Sequence, residues 1–175
     1  VEGAELWVRQ MPSGRRRTTH EVVLARQPAS LVCLDSRLPP VLFLEAVAAG
    51  LVPELGECRQ IRREVRYGAS RLDLEISCDS GLWLVEAKSC TLVAGGQARF
   101  PDAPTTRGAR HLRDLVHAAE RGLRPAVGFL IQRSDAKSFA PNDETDPVFG
   151  AELREAAQRG VAVFAVRCEV THEAV

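Results

Sequence analysis

The chain has 175 residues, 45% apolar and 26% charged, with 23 basic side chains against 23 acidic ones. That length suits one well-cored domain with a small appendage, and the composition excludes a fibre or a disordered chain. No apolar run approaches the length needed to span a bilayer, and zero net charge by itself gives no support for a nucleic-acid partner.

Residues 5–34 read as β. Glu5-Leu6-Trp7-Val8-Arg9, Glu21-Val22-Val23-Leu24-Ala25 and Ser30-Leu31-Val32-Cys33-Leu34 are short runs, split by Pro12-Ser13-Gly14 and Gln27-Pro28. Three strands alone make a poor independent unit, so they are read as part of a small barrel. Leu38-Pro39-Pro40 marks a boundary, and residues 41–49 are predicted helical with Gly50 as terminator. Three strands follow at 61–67, 71–78 and 82–89. The turns between them, Gly68-Ala69-Ser70 and Asp79-Ser80-Gly81, favour antiparallel hairpins.

Thr105 or Thr106 is the candidate cap of a helix running to Arg121, with Gly122 just past its end. Leu112, Leu115, Val116 and Ala119 form its apolar stripe. Residues 125–131 are continuously apolar, as in a strand buried on both faces. A helix at 148–159 and a strand at 161–166 complete the order αβββαβαβ, an α/β fold.

The five cysteines, at 33, 58, 78, 90 and 168, are scattered and include no CxxC pair. They read as free thiols in a reducing cytoplasm rather than as disulfides or zinc ligands. Asp102 reads as a helix cap or as a group supporting the site's ligands from behind. Asp143 and Asp146, close to Pro141 and Pro147, read as turn residues. His111 and His117 read as packing or phosphate-contact residues on their helix. The charge is unevenly spread: Arg15, Arg16 and Arg17 form one basic cluster, and Arg59, Arg62, Arg63, Arg66 and Arg71 another, opposed mainly by Glu64. A neutral chain with such a basic front can still set phosphate against one face.

The chemistry concentrates in Arg71-Leu72-Asp73-Leu74-Glu75 and Leu84-Val85-Glu86-Ala87-Lys88. An Asp followed on the neighbouring strand by Glu-x-Lys is the minimal layout of a metal-dependent nuclease site. Side chains alternate along a strand, so Glu86 and Lys88 share a face, and the hairpin sets Asp73 beside Glu86. Two nearby carboxylates suit Mg²⁺ (or Mn²⁺), which takes one or two protein carboxylates and keeps several waters. Such an ion polarises the scissile phosphate and acidifies a bound water, while Lys88 orients that water. Glu45, on the preceding helix, is the candidate further ligand; Glu75 reads as a solvated edge charge. Only Lys88 and Lys137 are lysines among the 23 basic residues, so a Lys at the centre of this motif stands out in an arginine-biased chain.

Further segments extend the pattern. They are Ile61-Arg62-Arg63-Glu64-Val65-Arg66-Tyr67-Gly68, Val85-Glu86-Ala87-Lys88, Thr91-Leu92-Val93 leading to Phe100-Pro101-Asp102-Ala103, and Thr106-Arg107-Gly108 with His111-Leu112. Gln132-Arg133-Ser134-Asp135-Ala136, Asp146-Pro147 and Arg167-Cys168-Glu169-Val170 complete the set. In this order and spacing the chain resembles the sugar fermentation stimulation protein family (SfsA). The resemblance implies an N-terminal OB-like barrel, of which residues 1–40 hold only the last strands, and a PD-(D/E)XK nuclease-like domain at 41–175. The chain opens at Val1 rather than Met, which fits that expectation of a shortened N-terminus.

The resemblance also implies DNA binding without sequence preference and a link to sugar (maltose) metabolism. On this mapping Asp73, Glu86 and Lys88 are the catalytic set; Asp73, Glu86 and Glu45 are the metal ligands. Arg15, Arg16, Arg17, Arg63, Arg66, Arg71, Arg107 and Arg110 are the candidate phosphate contacts. DNA is the expected partner, with a homodimer admitted and no membrane. The alternative is a catalytically silent regulatory or protein-interaction factor.

Overall fold

The structure, a computed structural model, describes residues 3–12, 18–28 and 30–173. Strands β1 (Leu6–Gln10), β2 (His20–Gln27) and β3 (Ser30–Cys33) pair antiparallel in sequence order as a small separate sheet. Helix α1 (Pro39–Ala48) follows, its prolines at the first turn, where no N–H is needed for intrahelical bonding. After a 3-10 turn at Pro53–Leu55 come β4 (Cys58–Tyr67), β5 (Ser70–Cys78) and β6 (Gly81–Cys90), two successive antiparallel hairpins. The rest of the chain forms β7 (Leu92–Ala94), β8 (Gln97–Phe100), α2 (Thr106–Glu120), β9 (Arg124–Ile131), β10 (Ser138–Pro141), α3 (Pro147–Gln158) and β11 (Ala162–Arg167).

A five-stranded mixed sheet with order β11-β9-β6-β5-β4 is the frame of the molecule. β6, β9 and β11 run parallel, with α2 and α3 as the two crossovers. One face packs against α1 through Phe43, Leu74, Ile76, Trp83, Val85 and Leu130; the other packs against α2 and α3 through Leu84, Leu112, Leu115, Val127, Phe129 and Phe149. β9 is an interior strand, paired on both edges and buried along nearly its whole length, which is why its sequence carries no polar alternation. At Gly128 of β9 a side chain's first carbon would lie 2.6 Å from the Phe43 ring. Glycine there lets α1 sit directly on the sheet.

The predicted elements all appear, and a second small sheet appears that the sequence reading lacks. β7 and β8 form a hairpin over Gly95-Gly96, both at positive φ, and β10 adds parallel to β8 from far along the chain. The N-terminal sheet is fastened to the end of β9, where the Cys33 N–H donates to the Gln132 carbonyl at 3.1 Å and Gln132 Nε2 donates to the Asp35 carbonyl at 3.3 Å.

Three expectations are corrected. Asp102 is exposed and does not cap α2; Thr105 does, its hydroxyl accepting from the Gly108 N–H at 3.0 Å. Asp146 is more than a turn residue: it caps α3 and also accepts the Thr105 N–H, tying the starts of both helices together. Cys58 and Cys78 are not free thiols but a disulfide across the β4–β5 hairpin. A register shift between Cys58 and Gln60 sets Cys58 opposite Cys78, an alignment invisible in cysteine spacing. Cys33, Cys90 and Cys168 are free and buried.

Candidate functional site

The site forms where the sheet loses its regularity. Leu74 and Ile76 pack under α1, yet Leu72 packs under α2 with Leu84 and Phe129. Residues two apart on a regular strand share a face, so β5 rolls between Leu72 and Leu74, at Asp73. Its neighbours carry the same break. Glu64, between the Arg63↔Leu74 and Val65↔Leu72 pairs, takes φ +57°, a conformation that disfavours a side chain. On the other side, β5–β6 pairing runs from Cys78↔Gly81 only to Leu74↔Val85. The Ala87 N–H then donates to Asp73 Oδ2 at 2.8 Å, so a carboxylate stands in for a strand carbonyl. A cleft of about 320 Å³, lined by Ser36, Arg37, Pro40, Arg63, Glu64 and Ala87, opens beside Asp73.

Regular alternation on β6 sends Val85 and Ala87 toward α1, and Leu84, Glu86 and Lys88 toward α2. Glu86 is 3% exposed and meets His111 of α2, itself 2% exposed. Glu86 Oε1 lies 2.5 Å from both Lys88 Nζ and His111 Nδ1, and Arg107 Nε lies 3.4 Å from His111 Nε2. Glu86 Oε2 is buried and has no hydrogen-bond partner among the described residues.

Burial, and then the charge of Glu86, push the Asp73 carboxyl up to about 6. Burial alone would raise Glu86 too, but His111 and Lys88 together outweigh it and hold Glu86 below its ordinary value. The two carboxylates therefore feel each other, and their environments drive them apart.

Of the expected site residues, Glu86 and Lys88 meet side chain to side chain, and Asp73 joins them through the backbone of Ala87, the residue between them. Glu45 is not brought to this group. It is exposed on α1 and lines another cavity with Arg9, Cys33, Asp35 and His172. Pro40 reaches the Asp73 cleft, and five residues of helix turn Glu45 about 140° away from Pro40. Glu75 is engaged by Arg62 at 2.7 Å. Among the described residues no three His, Cys, Asp or Glu side chains form a metal-holding cluster. An ion here would have at most the two carboxylates as protein ligands, with waters or substrate oxygens supplying the rest, a ligand set that Mg²⁺ accepts. An orphaned buried carboxylate oxygen beside a second carboxyl that holds its proton too tightly is what such an ion would satisfy.

Arg15, Arg16 and Arg17 lie outside the described residues. Arg63, Arg66 and Arg110 are exposed and carry no ion pair among the described residues, while Arg71 is paired with Glu64 at 2.5 Å. Arg107 is exposed in the first turn of α2, above His111.

Two contributors escaped the sequence reading. Glu64 was legible by counting back from the Gly68-Ala69 turn, which sets it opposite Asp73. His111 offered only its four-residue spacing from Arg107 on the helix after the Glu-x-Lys strand.

The family model described as "Sugar fermentation stimulation protein RE domain" matches residues 37–174. The chain belongs to the SfsA family. A sugar fermentation stimulation protein homolog of Moorella thermoacetica is 48% identical over 172 residues, covering 97% of this chain and 74% of that protein. A homolog from Geobacter sp. is 45% identical over 161 residues, covering 91% of this chain and 70% of its own length. Among solved structures, Pyrococcus furiosus SfsA in complex with Ca²⁺ superposes with a TM-score of 0.87 at 32% identity, over 95% of this chain and 71% of that one. This SfsA-family chain thus has the family's mixed α/β fold, with three sheets and three α-helices among the described residues. No helix among the described residues is long and apolar enough to cross a membrane.

Proposed function

We propose that this chain binds DNA without sequence preference and cleaves phosphodiester bonds with Mg²⁺ or Mn²⁺ at Asp73, Glu86 and Lys88, in the manner of PD-(D/E)XK nucleases. In this reading β4–β6 with α1 and α2 are the nuclease-like core, and β1–β3 are the last strands of an OB-like barrel. One oxygen carries the proposal: Glu86 Oε2, buried, without a partner among the described residues, and close enough to Asp73 for their charges to interact. The Ca²⁺ bound by the Pyrococcus furiosus relative supports a divalent ion in the family.

A bound divalent ion supplies a Lewis acid for the phosphate and lowers the pKa of a water. Asp73 and Glu86 hold it, with the Ala87 N–H fixing the Asp73 carboxylate. Lys88, 15% exposed beside Glu86, places an ammonium where it can orient the attacking water and offset charge building on the phosphate. Arg63 at the cleft and Arg66 further along β4 meet the phosphates on either side, giving an affinity that falls steeply with salt.

The catalytically silent reading has one observation in its favour: Lys88 is already neutralised by Glu86 at 2.5 Å. Incubation with single- and double-stranded DNA plus Mg²⁺ or Mn²⁺, beside a Lys88→Ala variant, separates the two. Cleavage by the unaltered chain, reduced about 10²-fold or more in the variant, is the expected result. Equal turnover by both proteins removes Lys88 from the mechanism. DNA retention with no cleavage by either protein establishes the silent reading.

A further inference from the structure

We infer that His111 is a positioning residue for the cation site, engaging Oε1 of Glu86 so that Oε2 is the oxygen presented to a divalent ion. The inference rests on the two-carboxylate site proposed above and deepens it. The Nε–H of Arg107 can only donate, and it sits 3.4 Å from His111 Nε2. A Glu86 carboxylate oxygen can only accept, so at 2.5 Å it is Nδ1–H that donates to Oε1, leaving Nε2 to accept from Arg107. Lys88 Nζ, 3.4 Å from Nδ1, is a donor beside a donor and takes no proton from the ring. Lys88 Nζ reaches the same oxygen from its own strand at 2.5 Å, so both donors converge on Oε1 and neither takes Oε2.

Lys88 alone would not fix which oxygen is offered. Its ammonium is a point charge on a flexible stem and can follow either oxygen as the carboxylate turns. An imidazole held 2% exposed in the α2 core cannot follow. Leu112 and Leu115 on the same helix pack under the sheet and set the height of the ring. Hydrogen-bonded partners of ligating carboxylates commonly govern affinity even though they never touch the metal.

Packing and donation make opposite demands at position 111. His111→Phe fills the space without a donor; His111→Asn places an amide N–H near the Nδ1 position but leaves a void. Calorimetric titration of the metal-free chain with Ca²⁺, and separately with Mn²⁺, reads the difference. Phe is expected to weaken binding about 10- to 100-fold and Asn to return it to within about threefold of the unaltered chain. Phe binding as tightly as histidine, or Asn as weakly as Phe, overturns the inference while leaving the two-carboxylate site standing. If the unaltered chain takes up neither ion, the site and the inference fall together. Should Phe prevent folding, His111→Gln replaces it; its longer amide lands nearer the Nε2 position and carries the same expected loss.

Discussion

Replacing Asp73 by Asn removes a charge that burial and Glu86 both oppose, yet keeps an oxygen able to accept the Ala87 N–H. The Asp73 carboxyl stands at about 6 in the fold against 3.8 ordinarily. A raised carboxyl pKa means that the folded state binds the proton more tightly than the unfolded chain. Stability is therefore greatest below the ordinary value and is lost as pH rises toward about 6, remaining low above it. A gap of about two units corresponds to about 3 kcal/mol at neutral pH, an upper figure for a partly exposed group. Near pH 4.5 the same relation leaves about 1 kcal/mol.

The Asn variant should accordingly melt higher than the unaltered chain by up to about 6–12 °C at pH 7.5 and by about 2–4 °C at pH 4.5, measured by scanning calorimetry in EDTA. Adding a divalent cation at pH 7.5 should then raise the melting temperature of the unaltered chain and leave the variant unmoved. A variant that melts lower at both pH values, or that gains equally at both, would refute the claim that Asp73 is held ionised at a cost.

Arg63→Ala and Arg66→Ala should weaken DNA binding uniformly across sequences, each lowering the slope of log affinity against log salt by about 1; an unchanged slope removes these side chains from the phosphate contacts. Glu64→Gly should stabilise the chain by about 1 kcal/mol, because φ +57° is strained for Glu and free for Gly, and the exposed pair with Arg71 contributes little. A melting temperature lowered by that change would mean that Glu64 makes contacts that matter more than its backbone strain. Opening the Cys58–Cys78 bridge with Cys78→Ser should cost about 3 kcal/mol without altering DNA cleavage, since the bridge lies at the far end of the hairpin from Asp73. Loss of cleavage at unchanged folding would contradict that separation.

The hairpins that carry Asp73 and Glu-x-Lys were legible because each turn is written in Gly, Ser and Asp, and because Leu72, Leu74 and Ile76 alternate with charge. Legibility ended where regularity did. The roll of β5 at Asp73 sends Leu72 and Leu74 to opposite cores, although their sequence pattern is that of a single face. Strand alternation therefore marks Asp73, Glu86 and Lys88 but not the seam that brings the Asp73 carboxylate to the Ala87 backbone. Position on the preceding helix points to Glu45, but the rotation of that helix depends on Phe43 seating against Gly128, a contact made across the sheet. β10 escaped for a similar reason: four residues carry little periodicity, and their partner β8 lies some forty residues earlier. His111 reads as a packing or phosphate-contact residue, and it is buried; only the approach of α2 to β6 shows its ring nitrogen on a carboxylate.

Crystals grown with Mn²⁺, with diffraction collected at the manganese absorption edge, bear most directly on the central claim. A single anomalous peak within about 2.0–2.4 Å of Asp73 and of Glu86 Oε2 is the predicted result. A peak in the Glu45 cavity beside Arg9 and His172, or none near β5 and β6, would contradict it.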